Sequence, residues 1–348
     1  MRRRATERIG AAAILIGAAL SGCTTAGEPP PGRPDLPSSR PDSPAIAASA
    51  QPLVARSAPP SAAPVSPSAA ASAALPAHGG EAETRADPAR YPWLGDATLH
   101  VPDVAGALDD RFAPPPGFAR IDLPEGSFGR WLRHLPLTRP RTPVTSHRGA
   151  VILPPDHENL AAVVAIDVGA GDLQQCADSV IRLHAEWQWS KGRRDESYRA
   201  ASGFPLPFSR WAGGERVVAD GNTLRWTMGP KPDPSHAAFR AYLDAVFAWA
   251  NTGALARDTT AVALADLRPG DFVVQPGGPG HAVLVLDLAV HPDGRRALLL
   301  GQGFMPAQSF QVLRPSRESA WFLVDERGLR TPFWPMFAWS LLHRFPGS

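Results

Sequence analysis

The chain holds two cysteines, Cys23 and Cys176, and only Cys176 sits in a pattern that could support chemistry within a folded domain. Its stretch is Gly171-Asp-Leu-Gln-Gln-Cys-Ala-Asp-Ser-Val-Ile-Arg-Leu-His-Ala-Glu-Trp187. Asp172 followed three residues later by Gln175 has the form of a capping box, which predicts a helix from here. Leu173, Cys176, Ala177, Val180, Leu183 and Trp187 recur at helical spacing and form one apolar stripe. Cys176 therefore falls in the first turn, on the buried face. The positive end of a helix stabilises a thiolate and lowers a cysteine pKa. A thiol attacks an acyl carbon only as thiolate, so it needs either that depression or a base. Cys176 is thus a quiet core residue or an activated nucleophile, and the rest of the chain has to decide.

The elements that would position it are a few helices followed by closely spaced strands. The globular part begins near Tyr91. Leu99-His-Val-Pro and Phe118-Ala-Arg-Ile-Asp-Leu read as short strands, and residues 126–137 as a short helix ending at Pro136. Ala161-Ala-Val-Val-Ala-Ile-Asp-Val168 is an apolar run with the look of a buried strand. Residues 203–228 are rich in loop formers. A second helix is expected from Ser235, its cap, to Ala250, with Phe239, Leu243, Val246 and Phe247 on its apolar face. After Leu267, strands are expected at Asp271–Gln275, His281–Asp287 and Arg296–Gln302, joined by the Gly277–Gly280 and His291–Gly294 turns. Two more follow, at Phe310–Leu313 and Trp321–Val324. There is no internal repeat, and helices followed by an antiparallel sheet make an α+β domain.

Arg268-Pro-Gly-Asp-Phe-Val-Val, Gly-His281-Ala-Val-Leu-Val and the hairpin to a third strand resemble the NlpC-type papain-like cysteine peptidases and amidases of bacterial cell walls. The resemblance implies a papain-like α+β fold in which a central buried helix packs on an antiparallel sheet. It casts Cys176 as nucleophile, His281 as general base and acid, and Gln302 as the group that orients the histidine. Over Tyr91 to Phe345 the chain is more closely similar to a family of bacterial exported domains of unknown function. The shared stretches include Ser127-Phe-Gly-Arg-Trp-Leu-Arg, Asp172-Leu-Gln-Gln-Cys-Ala-Asp, Pro279-Gly-His-Ala-Val and Met305-Pro-Ala-Gln. The cell-wall peptidases carry Asp-Cys-Ser or a near variant at the nucleophile, where this chain has Gln175-Cys-Ala177.

The residue chemistry suits these roles. His281 can take the thiol proton near neutral pH and return it to a leaving amine. Gln302 can fix the tautomer by accepting from the ring N–H. The Cys176 N–H, at a helix start, can serve an oxyanion, with Gln174 or Gln175 as further donors. Gln308 is another candidate, read as an exposed amide. Asp287 lies on the same strand as His281, but six residues along a strand span about 20 Å, too far for direct contact. Asp172 reads as a helix cap. Trp187, Trp189, Trp211 and Trp226 read as core, with any that line a cleft able to stack on sugar or peptide.

Residues 1–22 form an export signal: Arg2, Arg3, Arg4 and Arg8, then an apolar run from Ile9 to Leu20. Leu20-Ser-Gly-Cys23 resembles the lipobox of bacterial lipoproteins, which implies cleavage before Cys23, its lipidation, and anchoring to a membrane surface. Thr24 after the cysteine is similar to signals for outer-membrane sorting where a cell has two membranes. Residues 23–90 are a Pro, Ala and Ser tether that cannot offset its folding entropy. Extended, it could reach on the order of 200 Å.

The formal charge of +2 loses four arginines and one glutamate with the signal, so the remainder is close to neutral and carries no footprint for nucleic acid. His147, His184, His236 and His281 are scattered without metal-ligand spacing, and no glycine-rich phosphate loop opens a helix, so no cofactor is expected. The expected protein is an envelope-anchored thiol hydrolase acting on an amide, with peptidoglycan stem peptides the most available substrate. Acyl transfer to an amine is a variant of this reading. A non-catalytic envelope binding or scaffolding lipoprotein is the alternative from another class.

Overall fold

The computed structural model describes residues 86–348. The signal, Cys23 and nearly all of the tether lie outside the described residues. The folded part is a mixed α+β unit built on a mostly antiparallel sheet. In chain order the sheet strands are β1 (Ala119–Arg120), β2 (Leu160–Val163), β3 (Thr260–Ala261), β4 (Phe272–Gln275), β5 (His281–Val290), β6 (Arg296–Gln302), β7 (Gln311–Leu313), β8 (Phe322–Leu323) and β9 (Leu342–Arg344). They pair in the order β2-β7-β6-β5-β4-β9-β3, with β1 added to β5 and β8 to β6.

Both faces of this sheet are covered, which is why its central strands read as continuous apolar runs instead of alternating. Ala282, Leu284, Leu286, Leu299 and Val312 face a layer of helices. Val283, Val285, Leu298, Leu300 and Leu342 face the other way, under Leu329, Phe337 and partly buried Trp334. Burying each such Val or Leu contributes about 1.5–3 kcal/mol. The helices that bear on the site are α1 (Phe128–Arg133), α2 (Cys176–Ser190), α3 (His236–Trp249) and α4 (Thr252–Arg257). The caps expected of α1 and α3 are in place: Ser127 accepts from the Arg130 N–H and Ser235 from the Ala238 N–H.

Helix α2 begins later than its sequence suggests. Its N-cap is Gln175, in a reciprocal box with Asp178, and Asp172 stands outside it. Asp172 Oδ1 instead accepts the Ala307 N–H at 2.7 Å, tying the loop after β6 to the approach of α2. That long-range bond outweighs the local box. It leaves Cys176 as the first residue of the helix.

The segment 203–228 is more ordered than its composition implies, because it contains the hairpin Glu215–Asp220/Thr223–Met228. The apolar run at 161–168 is strand only at its start; beyond Val163 it bends into the approach to α2. A chain of ion pairs, buried except at its Asp244 end, crosses the helical layer: Asp96–His236–Glu186–Arg182–Asp167–Arg240–Asp244. Arg182 lies fully buried at its centre, and its two carboxylate partners hold its pKa up. No helix among the described residues is long and apolar enough to cross a membrane.

Candidate active site at the start of helix α2

The site sits where β6 stops pairing with β5. The Val285 N–H donates to Asp271 O, on the β4 side of β5. Alternation along an antiparallel strand then aims the Gly280 C=O and the Ala282 N–H to the β6 side. The β5–β6 ladder runs only to Leu284↔Gly301. Cys176 takes the side of β5 left open beyond it. Its Sγ donates to Gly280 O at 3.8 Å, and the N–H groups of Ala282, Ala177 and Cys176 face the sulfur. As the first helical residue, Cys176 has no intrahelical acceptor for its own N–H.

Two glycines make this approach feasible. A Cβ on Gly303 would come within 2.1 Å of Ser179 Oγ and 2.8 Å of Gln175 O, so only glycine lets the chain leaving β6 pass the start of α2. A Cβ on Gly280 would meet Thr252 Oγ1 at 2.2 Å.

His281 opens β5, with its ring among Phe304, Trp334 and Phe337 at centroid distances of 4.8, 4.8 and 6.1 Å. Its Nε2 lies 2.8 Å from Gln302 Oε1. An amide oxygen can only accept, so Nε2 carries the hydrogen and Nδ1 is the bare, basic nitrogen. Nδ1 is buried and, among the described residues, has no hydrogen-bond partner. The structure therefore brings His281 and Gln302 into direct contact, and sets Cys176 against the backbone on either side of His281.

The thiol is not the depressed one that its helix position suggested. Burial pushes Cys176 up to about 11, and the charge of Asp178 adds to the rise; the surrounding N–H groups offset only part of it. Burial lowers His281 to about 4, against the opposing pull of Gln302. The resting pair is a neutral thiol and a neutral imidazole. Cys176 is 5% exposed and His281 fully buried, so desolvation outweighs the helix end.

The other amides do different work. Gln174 is fully buried, donates to Asp167 O and accepts from Arg182. Gln175 donates to Asp172 and caps α2. Neither side chain is poised over the sulfur as an oxyanion donor. Gln308 is buried, not exposed, and Gln302 is the amide on His281. Asp287 binds Arg120 at 2.6 Å and Arg133 at 2.9 Å, which assigns it to the scaffold. Trp187 is core; Trp189, Trp211 and Trp226 are partly buried. Trp334 and Phe304, beside His281, carried no positional signal in the sequence. Asp178 did: a box read from Gln175 instead of Asp172 would have found it.

The remaining histidines lie apart from this site. His184 meets Tyr198 OH, His236 bridges Asp96 and Glu186, and His147 approaches Ala307 O. Among the described residues no group of three or more His, Cys, Asp or Glu side chains converges as a metal site.

No curated protein and no solved structure matches the chain, and no comparison supports the resemblance to cell-wall peptidases. A family model described as a domain of unknown function (4846) covers residues 108–344. That span takes in Cys176, His281 and Gln302 and more than half of the sequence, and the chain belongs to this family.

Proposed function

We propose that the protein is a thiol hydrolase of the cell envelope, with a papain-like arrangement of Cys176, His281 and Gln302, that cleaves an amide bond in peptidoglycan stem peptides. The observation that carries this reading is the imidazole of His281. Its Nε2 is fixed on Gln302, while its buried Nδ1 lacks a partner among the described residues, next to the backbone that flanks the Cys176 sulfur. A buried polar atom without a partner is costly, and such atoms are tolerated where they act.

The chemistry follows from those atoms. The S–H bond of Cys176, which points at Gly280 O at rest, breaks and its hydrogen passes to Nδ1 of His281 as the sulfur bonds to the carbonyl carbon. The oxyanion so formed faces the Cys176 N–H at the helix start. Its collapse expels the amine, which takes the proton from the imidazolium. Water then gives a proton to His281, attacks the thioester and frees the acid, and the thiol is restored. The expected lipid anchor at Cys23 and the tether would keep this chemistry within reach of the cell wall, which is the reason for naming peptidoglycan.

A second reading has an observation of its own. A cysteine whose thiol donates to a carbonyl and whose pKa is pushed up to about 11 also suits a structural role, with the fold serving as a non-catalytic binding lipoprotein. One experiment separates the two. Full-length protein is incubated with purified peptidoglycan and its muropeptides, and new amino groups are identified by mass spectrometry. The hydrolase releases them, Cys176→Ala releases none, and His281→Ala falls by about 10²–10⁴-fold. Release that survives Cys176→Ala, or none from the unaltered protein, overturns the proposal; retention on the wall without cleavage favours the binding protein.

A further inference from the structure

Asp178 lies two residues after Cys176 and is 7% exposed. One carboxyl oxygen accepts the Gln175 N–H at 3.1 Å, while the Gln175 side chain accepts the Asp178 N–H. The Gln175 carbonyl accepts from both the N–H and the Oγ of Ser179. The residue before the nucleophile is thus held from both sides, and the peptide joining it to Cys176 is fixed with its N–H outward from the helix. The other Asp178 oxygen, Oδ1, is buried with no hydrogen-bond partner among the described residues. The box explains one oxygen and leaves the second unaccounted for.

We propose that Asp178 is the positioning residue of this site: it fixes the peptide of Cys176 through Gln175 and, through its own charge, governs the charge of the thiol. This rests on the hydrolase reading for its purpose, but not for its test.

The groups facing the pair are few. On β5 the ring of His281 lies among Phe304, Trp334 and Phe337 and bonds Gln302, and Asp172, in the loop before α2, is bound to Gln175 and Ala307. On the other elements packed against α2, Arg133 and Asp287 bind each other, Arg257 donates to Ala201 O and Arg296 to Leu264 O. Arg130 lines a cavity with Trp187 and Lys191 near the far end of α2. Among the described residues no arginine or lysine bonds either carboxyl oxygen of Asp178. Burial pushes Asp178 up to about 8, so it stays neutral through the physiological range and becomes anionic above it. The same carboxylate then opposes ionisation of the sulfur. Below pH 8 the site is a neutral trio of carboxylic acid, thiol and imidazole, and the thiol proton can leave toward His281 without a neighbouring anion.

The test is the iodoacetamide alkylation rate of Cys176 against pH in the full-length chain, for the unaltered protein, Asp178→Asn, Asp178→Ala and His281→Ala. Asparagine keeps an acceptor for the Gln175 N–H and cannot ionise. Between pH 9 and 10 it should be alkylated about tenfold faster than the unaltered protein, as expected for a shift of about one pKa unit. At pH 6–7, where Asp178 is itself neutral, the two rates should converge. Asp178→Ala should share the alkaline acceleration and also lose a few degrees of Tm, which asparagine restores. Superposed Asn and unaltered profiles, or an acceleration equal at every pH, overturn the control of charge. An alanine variant as stable as the asparagine one overturns the positioning. Should alanine fail to fold, the asparagine profile decides alone. The His281→Ala profile reports separately on the Cys–His pair, so failure of the hydrolase reading is distinguishable.

Discussion

At the scale of single residues, the site is defined by what burial does to three side chains. Cys176, His281 and Asp178 are each pushed toward the uncharged form, as expected where water is excluded. Gln302 suits such a site better than a carboxylate would. A neutral acceptor orients the imidazole without charging it, so Nδ1 stays available for a proton. The prediction is that Gln302→Glu raises the His281 pKa from about 4 by one to three units, because a carboxylate favours the imidazolium. Measured by NMR titration of the imidazole, a midpoint that stays near 4 would show that residue 302 does not control the ring. Should the midpoint pass 7, His281 becomes a standing cation, and under the proposed hydrolase reading amide release should be lost at neutral pH because its base is already protonated.

At the scale of elements, the site depends on three pieces meeting at one corner of the sheet: the start of α2, the start of β5 and the end of β6. What holds them is partly remote. Asp287, fully buried on β5, binds Arg120 of β1 and Arg133 of α1, so one carboxylate joins three elements. Asp287→Ala should lower stability by about 3 kcal/mol, because the loss strands two partly buried arginines. Urea denaturation gives the number, and a midpoint within error of the unaltered protein would show that the arginines find other partners. Much of this scale was legible in the sequence. The strand from Arg296 to Gln302 and the helix capped by Ser235 follow their periodicity because local preference and burial agree there. The start of α2 did not, since Asp172 is drawn off by Ala307, a residue 135 positions away. Trp334 and Phe304 were illegible as site residues for the same reason. Nothing local brings the hairpin Leu329–Thr331/Trp334–Phe337 over His281; the far face of the sheet needs a cover, and the chain supplies it late. The contact between His281 and Gln302, expected from the resemblance, needs only one β-hairpin to form.

At the scale of the whole molecule, the displaced pKa values set where the fold is most stable. His281, near 4, and His184, near 3, bind a proton in the unfolded chain below pH 6.5 but not in the folded one. Their contribution is complete above 6.5 and is lost as the pH falls through those values. Asp178, near 8, and Glu196, near 7, act in the opposite sense. They keep a proton in the fold that the unfolded chain has released, so their contribution is complete below the ordinary carboxylate range and declines as the pH rises to 7 and 8. His236, raised by its contacts with Glu186 and Asp96 after burial has pulled it down, adds to the alkaline loss. Between about pH 4.5 and 6.5 the two slopes oppose each other and nearly cancel. Tm measured against pH should therefore show a plateau over that window, a decline above it to about pH 8, and a decline below pH 4. Asp178→Asn removes one alkaline slope and leaves the histidines in place. Its plateau should tilt, with stability rising from 4.5 to 6.5, and its Tm at pH 8 should exceed that of the unaltered protein. If the two Tm curves run parallel across the range, Asp178 carries no extra proton in the fold, and the neutral site at the start of α2 loses its thermodynamic support.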